Sequence, residues 1–163
     1  MDFVACIGSR KLNSEERNLC YRIGQFLAQG YNIKSGNAIG ADQSYARGVN
    51  FINSKQLYLY LPNEKYNNYA IIDGNNVCCK PKKEWFSIAK ELHFYWDTMS
   101  YTAKSLHARN VGIIEKCKFV IAFPNEDWGG GTLMGMKVAE KYNIPLYNLR
   151  IEKTRKEWEN LVL

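Results

Sequence analysis

The sequence predicts a Rossmann-like, doubly wound α/β fold, with a mainly parallel sheet of about five strands and helices on both faces. Short apolar runs alternate along the chain with longer segments in which apolar residues recur at helical spacing. The runs are continuous in apolar character, which is typical of strands covered on both faces. Three of them lead straight into turns of small residues, as the strands of βα units do.

Each expected strand is a short segment bounded by turn residues. The expected strands are residues 3–7, 31–34, 56–61, 119–123 and 144–147. The first is apolar throughout, the third is rich in Leu and Tyr and is stopped by Pro62, and the fourth is the most apolar. Because amphipathic segments separate them, these strands are expected to run parallel to one another.

Helices are expected in the segments between these strands. Asn13 or Ser14 can cap the first helix, which ends at Gly30. The others are expected after the turn at 36–42 as far as about residue 51, around 84–92, at 102–116, at about 132–141 and near the C-terminus. The last carries Trp158 on its apolar face.

Residues 62–101 do not follow this alternation. The segment contains Asn-rich turns and an aromatic-rich second half. We expect it to form an insert or lid within one domain covering residues 1–163, because the prolines and glycines are scattered and form no linker. Aromatic residues at helical spacing usually fill a core, and this interpretation is preferred over base stacking for Trp85, Phe86 and Phe94.

Composition and charge limit the class of protein. Apolar residues make up 46% of the chain and charged residues 23%, close to globular averages. Lys and Arg total 22 against 16 Asp and Glu, and the resulting formal charge of +6 favours anionic partners without naming one. The basic clusters at residues 80–83 and 150–156 are interpreted as solvated surface.

The N-terminal segment has no basic stretch and only a short apolar run, so neither a signal peptide nor a membrane anchor is expected. The five cysteines, an odd number, agree with a cytoplasmic location and no membrane partner. The chain has two histidines, His93 and His107, and no metal-ligand spacing. No metal site and no cofactor are therefore expected.

Three turns of small residues are predicted to form a single phosphate-binding site together. They are Gly8-Ser9-Arg10, the segment from Ser35 to Asp42, and Gly129-Gly130-Gly131-Thr132. Glycine lets a backbone close on a ligand, and a helix that begins after such a turn directs free N–H groups at an anion. In a Rossmann-like strand order the first and fourth expected strands are neighbours, so all three turns meet at one edge of the sheet.

None of these turns is a standard nucleotide-binding fingerprint. The segment from Gly36 to Gly40 is G-x-x-x-G, and no Gly-Lys-Ser/Thr occurs. The absence of these motifs argues against a Walker-type ATPase and against an ordinary NAD dehydrogenase. The backbone donors, hydroxyl groups and cations that remain suit a phosphate or a phosphorylated sugar.

These turns, together with Arg109-Asn110 ahead of an apolar strand that ends at Pro124, resemble the motifs of the SLOG superfamily. The superfamily includes the Smf/DprA DNA-processing proteins, the LOG phosphoribohydrolases and the YspA and YpsA-like proteins. The YspA-like branch is the most similar, because its Ser-Gly-x-Ala-x-Gly-Ala-Asp turn and its Arg-Asn pair occur here in the same order. The resemblance covers about residues 3–148, and it implies a Rossmann-like fold, a nucleotide or nucleotide-derived ligand, and a homo-oligomer.

The resemblance and the turns together define a candidate ligand site. Its residues are Gly8, Ser9, Arg10, Ser35, Gly36, Ala38, Gly40, Ala41, Asp42, Arg109, Asn110, Pro124, Trp128, Gly129, Gly130, Gly131 and Thr132. Three assignments have alternatives. Asp42 is either a ligand contact, for example to a ribose hydroxyl, or a helix cap. Arg109 either faces the ligand or is a solvated helix residue, and Trp128 either faces the ligand or has a structural role.

The main departure from the family concerns catalysis. In the LOG enzymes the glycine motif ends in a glutamate that assists cleavage of an N-glycosidic bond, and this chain has Gly135 at that position. The leading hypothesis is therefore a protein that senses or sequesters an ADP-ribose-like or cyclic nucleotide, such as a phage anti-defence sponge. One alternative is an N-glycosidase or phosphoribohydrolase that uses Glu126, Asp127 or Asp42. The other is DprA-like binding of single-stranded DNA, which the positive charge and the aromatic residues favour.

Overall fold

The computed structural model describes residues 1–127 and 130–163. A six-stranded parallel sheet lies between two layers of helices, so the predicted fold class is confirmed. The strands are β1 (Phe3–Gly8), β2 (Asn32–Ser35), β3 (Leu57–Tyr60), β4 (Asn76–Cys78), β5 (Val120–Phe123) and β6 (Leu146–Asn148). The helices are α1 (Ser14–Leu27), α2 (Ala41–Asn53), α3 (Lys83–Leu92), α4 (Tyr101–Ile114), α5 (Thr132–Lys141) and α6 (Glu152–Val162).

The sheet has the strand order β4-β3-β2-β1-β5-β6. The winding reverses between β1 and β5, where Gly8 pairs with Phe123. The first and fourth expected strands are therefore neighbours, as predicted. The carboxyl ends of β1, β2 and β5 lie side by side at this reversal, which is where doubly wound sheets bind ligands.

The sheet has one strand more than the five expected. The additional strand, β4, lies in the segment interpreted as an insert, and it extends the sheet by pairing with β3. Val77 at its centre is exposed, and its neighbours Asn76 and Cys78 are only half-buried. Because the strand is short and lies at the edge of the sheet, it has no continuous apolar run that would indicate it.

The core has two halves, one on each face of the sheet. The side chains of β1 alternate between them, with Val4 and Cys6 on one face and Ala5 and Ile7 on the other. Helices α1, α2 and α6 cover the first face, and α3, α4 and α5 cover the second. All four of these β1 residues are buried, which explains the uninterrupted apolar run at residues 3–7.

Helix α1 begins with a capping box. The Asn13 side chain accepts a hydrogen bond from the Glu16 amide at 2.8 Å, and the Glu16 carboxylate accepts one from the Asn13 amide at 2.9 Å. Of the two predicted caps, Asn13 is therefore the one used. This arrangement satisfies two amide groups that would otherwise lack partners at the helix start.

The segment 62–101 contributes to the core through α3. Trp85 is buried with its ring against Gly112 of α4, and Phe86 is partly buried against the same half of the core. The predicted core position of Phe94 is wrong, because 96% of this side chain is exposed. Phe94 lies beyond the end of α3, so the helical spacing that suggested burial does not extend to it.

No helix in the described residues has the length and apolar character needed to cross a lipid bilayer.

Helices α1 and α2 pack very closely because each has a glycine at their contact. A Cβ atom on Gly48 would run into the carbonyl oxygen of Tyr21, and one on Gly24 would run into that of Tyr45. Gly48→Ala is expected to lower the free energy of unfolding by about 1–3 kcal/mol, because the rigid backbones must separate. Urea denaturation measures this, and Gly30→Ala is the control because nothing lies within 4 Å of its Cβ position. Equal stability of the two variants would contradict the close contact.

Candidate ligand-binding site

A cavity of about 720 Å³ opens at the carboxyl edge of the sheet, where the winding reverses. Of the predicted site residues, the following line it: Gly8, Ser9, Arg10, Ala38, Asp42, Arg109, Asn110, Gly130, Gly131 and Thr132. All three small-residue turns therefore reach one space. Its size is within the range of small-molecule and cofactor sites, which is about 300–1,000 Å³.

The first turn is fixed by bonds to its neighbours. The Ser9 amide donates to the carbonyl oxygen of Phe123 at 2.8 Å, and its buried hydroxyl donates to the Asn125 side chain. The Lys11 amide donates to the Ser9 hydroxyl at 2.9 Å. Arg10 is exposed, and its guanidinium donates to the Tyr66 hydroxyl at 3.1 Å. A rigid turn therefore holds a solvent-accessible cation at the cavity.

The second turn is attached to the first through its backbone. The Ala41 amide donates to the Ser9 carbonyl at 3.0 Å. Gly40, at φ +95°, precedes α2, and a Cβ atom there would come within 2.5 Å of the same carbonyl. Gly40 and Ala41 thus join the two turns and do not line the cavity. Ser35 lies deeper, where its hydroxyl donates to the carbonyl of Cys6 at 3.0 Å and links β2 to β1.

Asp42 is buried in the first turn of α2. One carboxylate oxygen, Oδ2, accepts from the Ala38 amide at 3.2 Å, whereas Oδ1 has no partner among the described residues. Burial raises the pKa of Asp42 to about 6, against the opposing effects of the Arg109 charge and the amides of Ala38 and Gly36. The helix cap itself is Gly40, so Asp42 holds the turn before the helix and also lines the cavity.

Arg109 of α4 is also buried, so the alternative of a solvated helix position is wrong. Its Nη1 donates to the carbonyls of Gly36 at 2.6 Å and Tyr60 at 2.8 Å, and its Nε donates to Asn110 at 2.8 Å. The guanidinium lies 5.2 Å from the centre of the Tyr66 ring. A Cβ atom at Gly36 would be 2.7 Å from Nη1, so glycine makes room for the arginine.

The third turn leads into α5. Gly130 has φ +85°, Gly131 precedes the helix, and the Asn110 side chain donates to the Gly131 carbonyl at 3.3 Å. The N-terminus of α5 therefore adjoins the cavity, where its dipole favours an anion. Pro124 is buried behind the turn, and its carbonyl accepts from the Arg150 side chain at 2.7 Å. The predictions for Trp128 and Gly129 lie outside the described residues.

Several cavity residues were not predicted. The polar ones are Lys11, His93, His107 and Asn125, and Tyr66 of the segment 62–101 contacts Arg10 and Arg109. Lys11 and Asn125 each follow a predicted residue directly, so adjacency would have found them. His107 lies two residues before the predicted Arg109, whereas His93 and Tyr66 belong to no motif.

The position that holds a glutamate in the LOG enzymes is Gly135, which lines the cavity. Glu126 and Asp127, the loop carboxylates considered for catalysis, are exposed and are not part of the cavity lining. Asp42 is the only carboxylate among the described residues that line it. Any acid–base chemistry from the described lining carboxylates would therefore depend on Asp42.

Fold and site together define a doubly wound α/β protein with a ligand-sized cleft at the reversal of the sheet. No protein-family model matches the sequence, and no curated protein matches it. Solved structures do match. DNA processing protein A of Helicobacter pylori, described for its single-stranded DNA binding mode, has a TM-score of 0.62 at 20% identity, covering 90% of this chain and 64% of that protein.

Two further solved structures have the same fold. DNA processing protein A of Streptococcus pneumoniae has a TM-score of 0.62 at 18% identity, covering 90% of this chain and 50% of that one. A molybdenum cofactor binding protein of Rippkaea orientalis has a TM-score of 0.60 at 18% identity, and the match covers 99% of this chain and 84% of that protein. The chain spans only half to two thirds of the two DNA processing proteins. These likenesses show that the chain shares their fold, which is the Rossmann-like fold that the predicted resemblance implies.

Proposed function

We propose that this protein binds a small nucleotide or nucleotide-derived phosphorylated ligand in the cavity, as a sensor or a sequestering protein. The observation that supports this most is the convergence of the three turns on one space. Arg10, Lys11 and Arg109 contribute positive charge to its described lining, against the single carboxylate of Asp42. Such a lining favours an anion.

The expected affinity can be estimated from the typical free energies of the contacts that such a ligand would make. An anion at a helix N-terminus gains about 0.3–1 kcal/mol, and each hydrogen bond to a charged group adds about 1.5–3 kcal/mol. A few such contacts reach about 8 kcal/mol, which corresponds to a micromolar dissociation constant.

Asp42 gives the proposal a second recognition element. Its Oδ1 is an acceptor that no described residue satisfies, and the carboxylate lines the cavity at the end of the second turn, where the Arg109 charge acts on it. A ribose has hydroxyl groups that can donate to such an acceptor. We therefore assign the phosphate to the α5 end of the cavity and the ribose to the Asp42 side.

Arg10→Ala is expected to weaken binding of AMP, cyclic AMP or ADP-ribose by about tenfold or more, because a charge-assisted contact is lost. Arg10 is exposed, so the free energy of unfolding is expected to change by less than about 0.5 kcal/mol. Isothermal titration calorimetry measures the first effect and urea denaturation the second. The matched control is Arg22→Ala, which removes an exposed arginine of α1.

The proposal is supported if the wild-type protein binds at least one of these nucleotides, and if Arg10→Ala weakens that binding while Arg22→Ala does not. No heat from any nucleotide with the wild-type protein would contradict it.

Single-stranded DNA binding is the second candidate, favoured by the fold shared with the DNA processing proteins and by the +6 charge. It predicts an affinity for oligonucleotides that falls steeply with added salt, because phosphate contacts release counterions. A mobility-shift titration at two salt concentrations distinguishes it from binding of a mononucleotide. Absence of a shift at low salt would eliminate it.

A further inference from the structure

Two histidines form a cluster in the lining of the cavity. His93 follows α3 and His107 lies on α4, and their ring centres are 4.7 Å apart. Both line the cavity. Within residues 1–127 and 130–163 they make none of the hydrogen bonds described above between the three turns, so those bonds do not account for the pairing of the two rings.

The hydrogen bonds of the two rings define what they offer to a ligand. His93 Nδ1 accepts from the Tyr95 amide at 3.1 Å, so in the neutral ring the proton is on Nε2. His107 Nδ1 is buried with no partner among the described residues. Because a buried N–H without an acceptor is costly, the His107 proton also belongs on Nε2. The pair therefore presents two N–H donors.

Burial is the largest cause of a lowered pKa at His107, and His93, Arg109 and Lys137 lower it further, to about 4. Of these neighbours, Arg109 and Lys137 are cationic. Lys137 of α5 is held nearby, since its ammonium donates to the carbonyl of Leu92 at 3.3 Å. Two donors in a positive surrounding favour an anion. A metal ion would need the lone pairs of the rings and further ligands, and no group of three or more His, Cys, Asp or Glu residues that could hold one occurs among the described residues.

The cluster lies close to the third turn. His107 precedes Asn110 by three residues on α4, which is about 4.5 Å along the helix axis, and Asn110 contacts Gly131. The two phosphoryl groups of a diphosphate share one bridging oxygen. Their outer oxygens can therefore contact two sites that lie about 4.5 Å apart along α4. Ala103, one turn before His107, also lines the cavity.

We infer that the Nε2–H groups of His93 and His107 form a second anion subsite, which binds a phosphoryl group next to the one at the Gly130-Gly131 turn. This inference rests on the proposed function and refines it. The ligand is then a nucleotide derivative with a diphosphate, such as a nucleoside diphosphate sugar, in preference to a nucleoside monophosphate.

The test compares ADP-ribose with AMP by isothermal titration calorimetry at pH 7. In a His93→Leu, His107→Leu variant, the ratio of ADP-ribose affinity to AMP affinity is expected to fall by about tenfold, because two donors are lost. In a His93→Gln, His107→Gln variant the amide replaces the Nε2 donor, and the ratio is expected to stay within about threefold of wild type. An unchanged ratio in the leucine variant would overturn the inference.

A second measurement needs neither variant nor nucleotide. Sodium pyrophosphate is added to wild-type protein uniformly labelled with ¹⁵N, and the imidazole Nε2 signals of His93 and His107 are expected to shift together. If they remain still while the amides of Gly130 and Gly131 shift, the subsite is wrong and the proposed phosphate site stands. If the histidines shift and those amides do not, the subsite stands and the proposed phosphate site is wrong. If nothing shifts, both are wrong.

Discussion

Replacing Arg109 with alanine is expected to lower the free energy of unfolding by about 3–5 kcal/mol and to abolish nucleotide binding. The substitution leaves the Asp42 charge buried without its cationic neighbour, and removal of one member of a buried ionic arrangement typically costs this much. It also leaves the carbonyls of Gly36 and Tyr60 without their donor. The corresponding fall in melting temperature is roughly 6–20 °C for a chain of this length.

Two other substitutions make the Arg109 result interpretable. Arg47→Ala removes an exposed arginine from α2 and is expected to change stability by less than about 0.5 kcal/mol. Arg109→Lys keeps a positive charge but lacks the planar fork that reaches two carbonyls and Asn110, so it is expected to restore only part of the stability. Thermal unfolding measures all three variants. A stable Arg109→Ala protein that still binds nucleotide would contradict the role given to this residue.

Asp42→Asn is expected to raise stability near neutral pH while it weakens binding. Burial raises the pKa of Asp42 from 3.8 to about 6 in the folded protein, so the folded state holds this proton more tightly than the unfolded state does. The stability from that proton is fully present below pH 3.8 and is lost as the pH rises through about 6. Since 1.4 kcal/mol corresponds to one pH unit, the loss is about 3 kcal/mol.

Asparagine is neutral at every pH and does not bear this cost. The variant and the wild-type protein are therefore expected to be equally stable near pH 4, with the variant more stable by up to about 3 kcal/mol above pH 7. Its amide group is a donor where Oδ1 was an acceptor, so affinity for ribonucleotides is expected to fall by about tenfold. Urea denaturation between pH 4 and 8 and calorimetry at pH 7.5 measure the two effects.

The informative quantity is the difference in the free energy of unfolding between Asp42→Asn and wild type at each pH. The pH dependence of either protein alone also contains a contribution from His107, which has the opposite sign in the same pH range. Burial and nearby cations lower its pKa from 6.5 to about 4, so its contribution to stability is present above pH 6.5 and is lost as the pH falls through about 4. The His107→Gln variant removes this contribution and isolates that of Asp42. A difference between Asp42→Asn and wild type that does not change with pH would contradict the raised pKa.

The sequence predicts well those parts of the fold that depend on residues close together in the chain, such as apolar runs and turns of small residues. Residues 3–7 are all apolar because β1 is covered by helices on both faces, and the Gly36–Asp42 turn needs small residues because Arg109 and Ser9 approach its backbone. The order of the strands then places the turns together, since the ends of neighbouring parallel strands meet at one edge.

The parts that the sequence does not predict depend on contacts between distant segments. β4 exists because β3 offers an edge to pair with, and its own residues have little strand character. Tyr66 reaches Arg10 across 56 positions of the chain. The distance between His93 and His107 is set by the packing of α3 on α4, which no local pattern encodes.

Backbone amide NMR with ADP-ribose tests most directly whether the three turns bind one ligand together. If they do, the amide signals of residues 8–11, 36–42 and 130–132 shift along a single isotherm, with a dissociation constant on the order of micromolar. Shifts confined to one turn, shifts only on a distant face of the sheet, or no shifts at about 1 mM ADP-ribose would contradict a shared site.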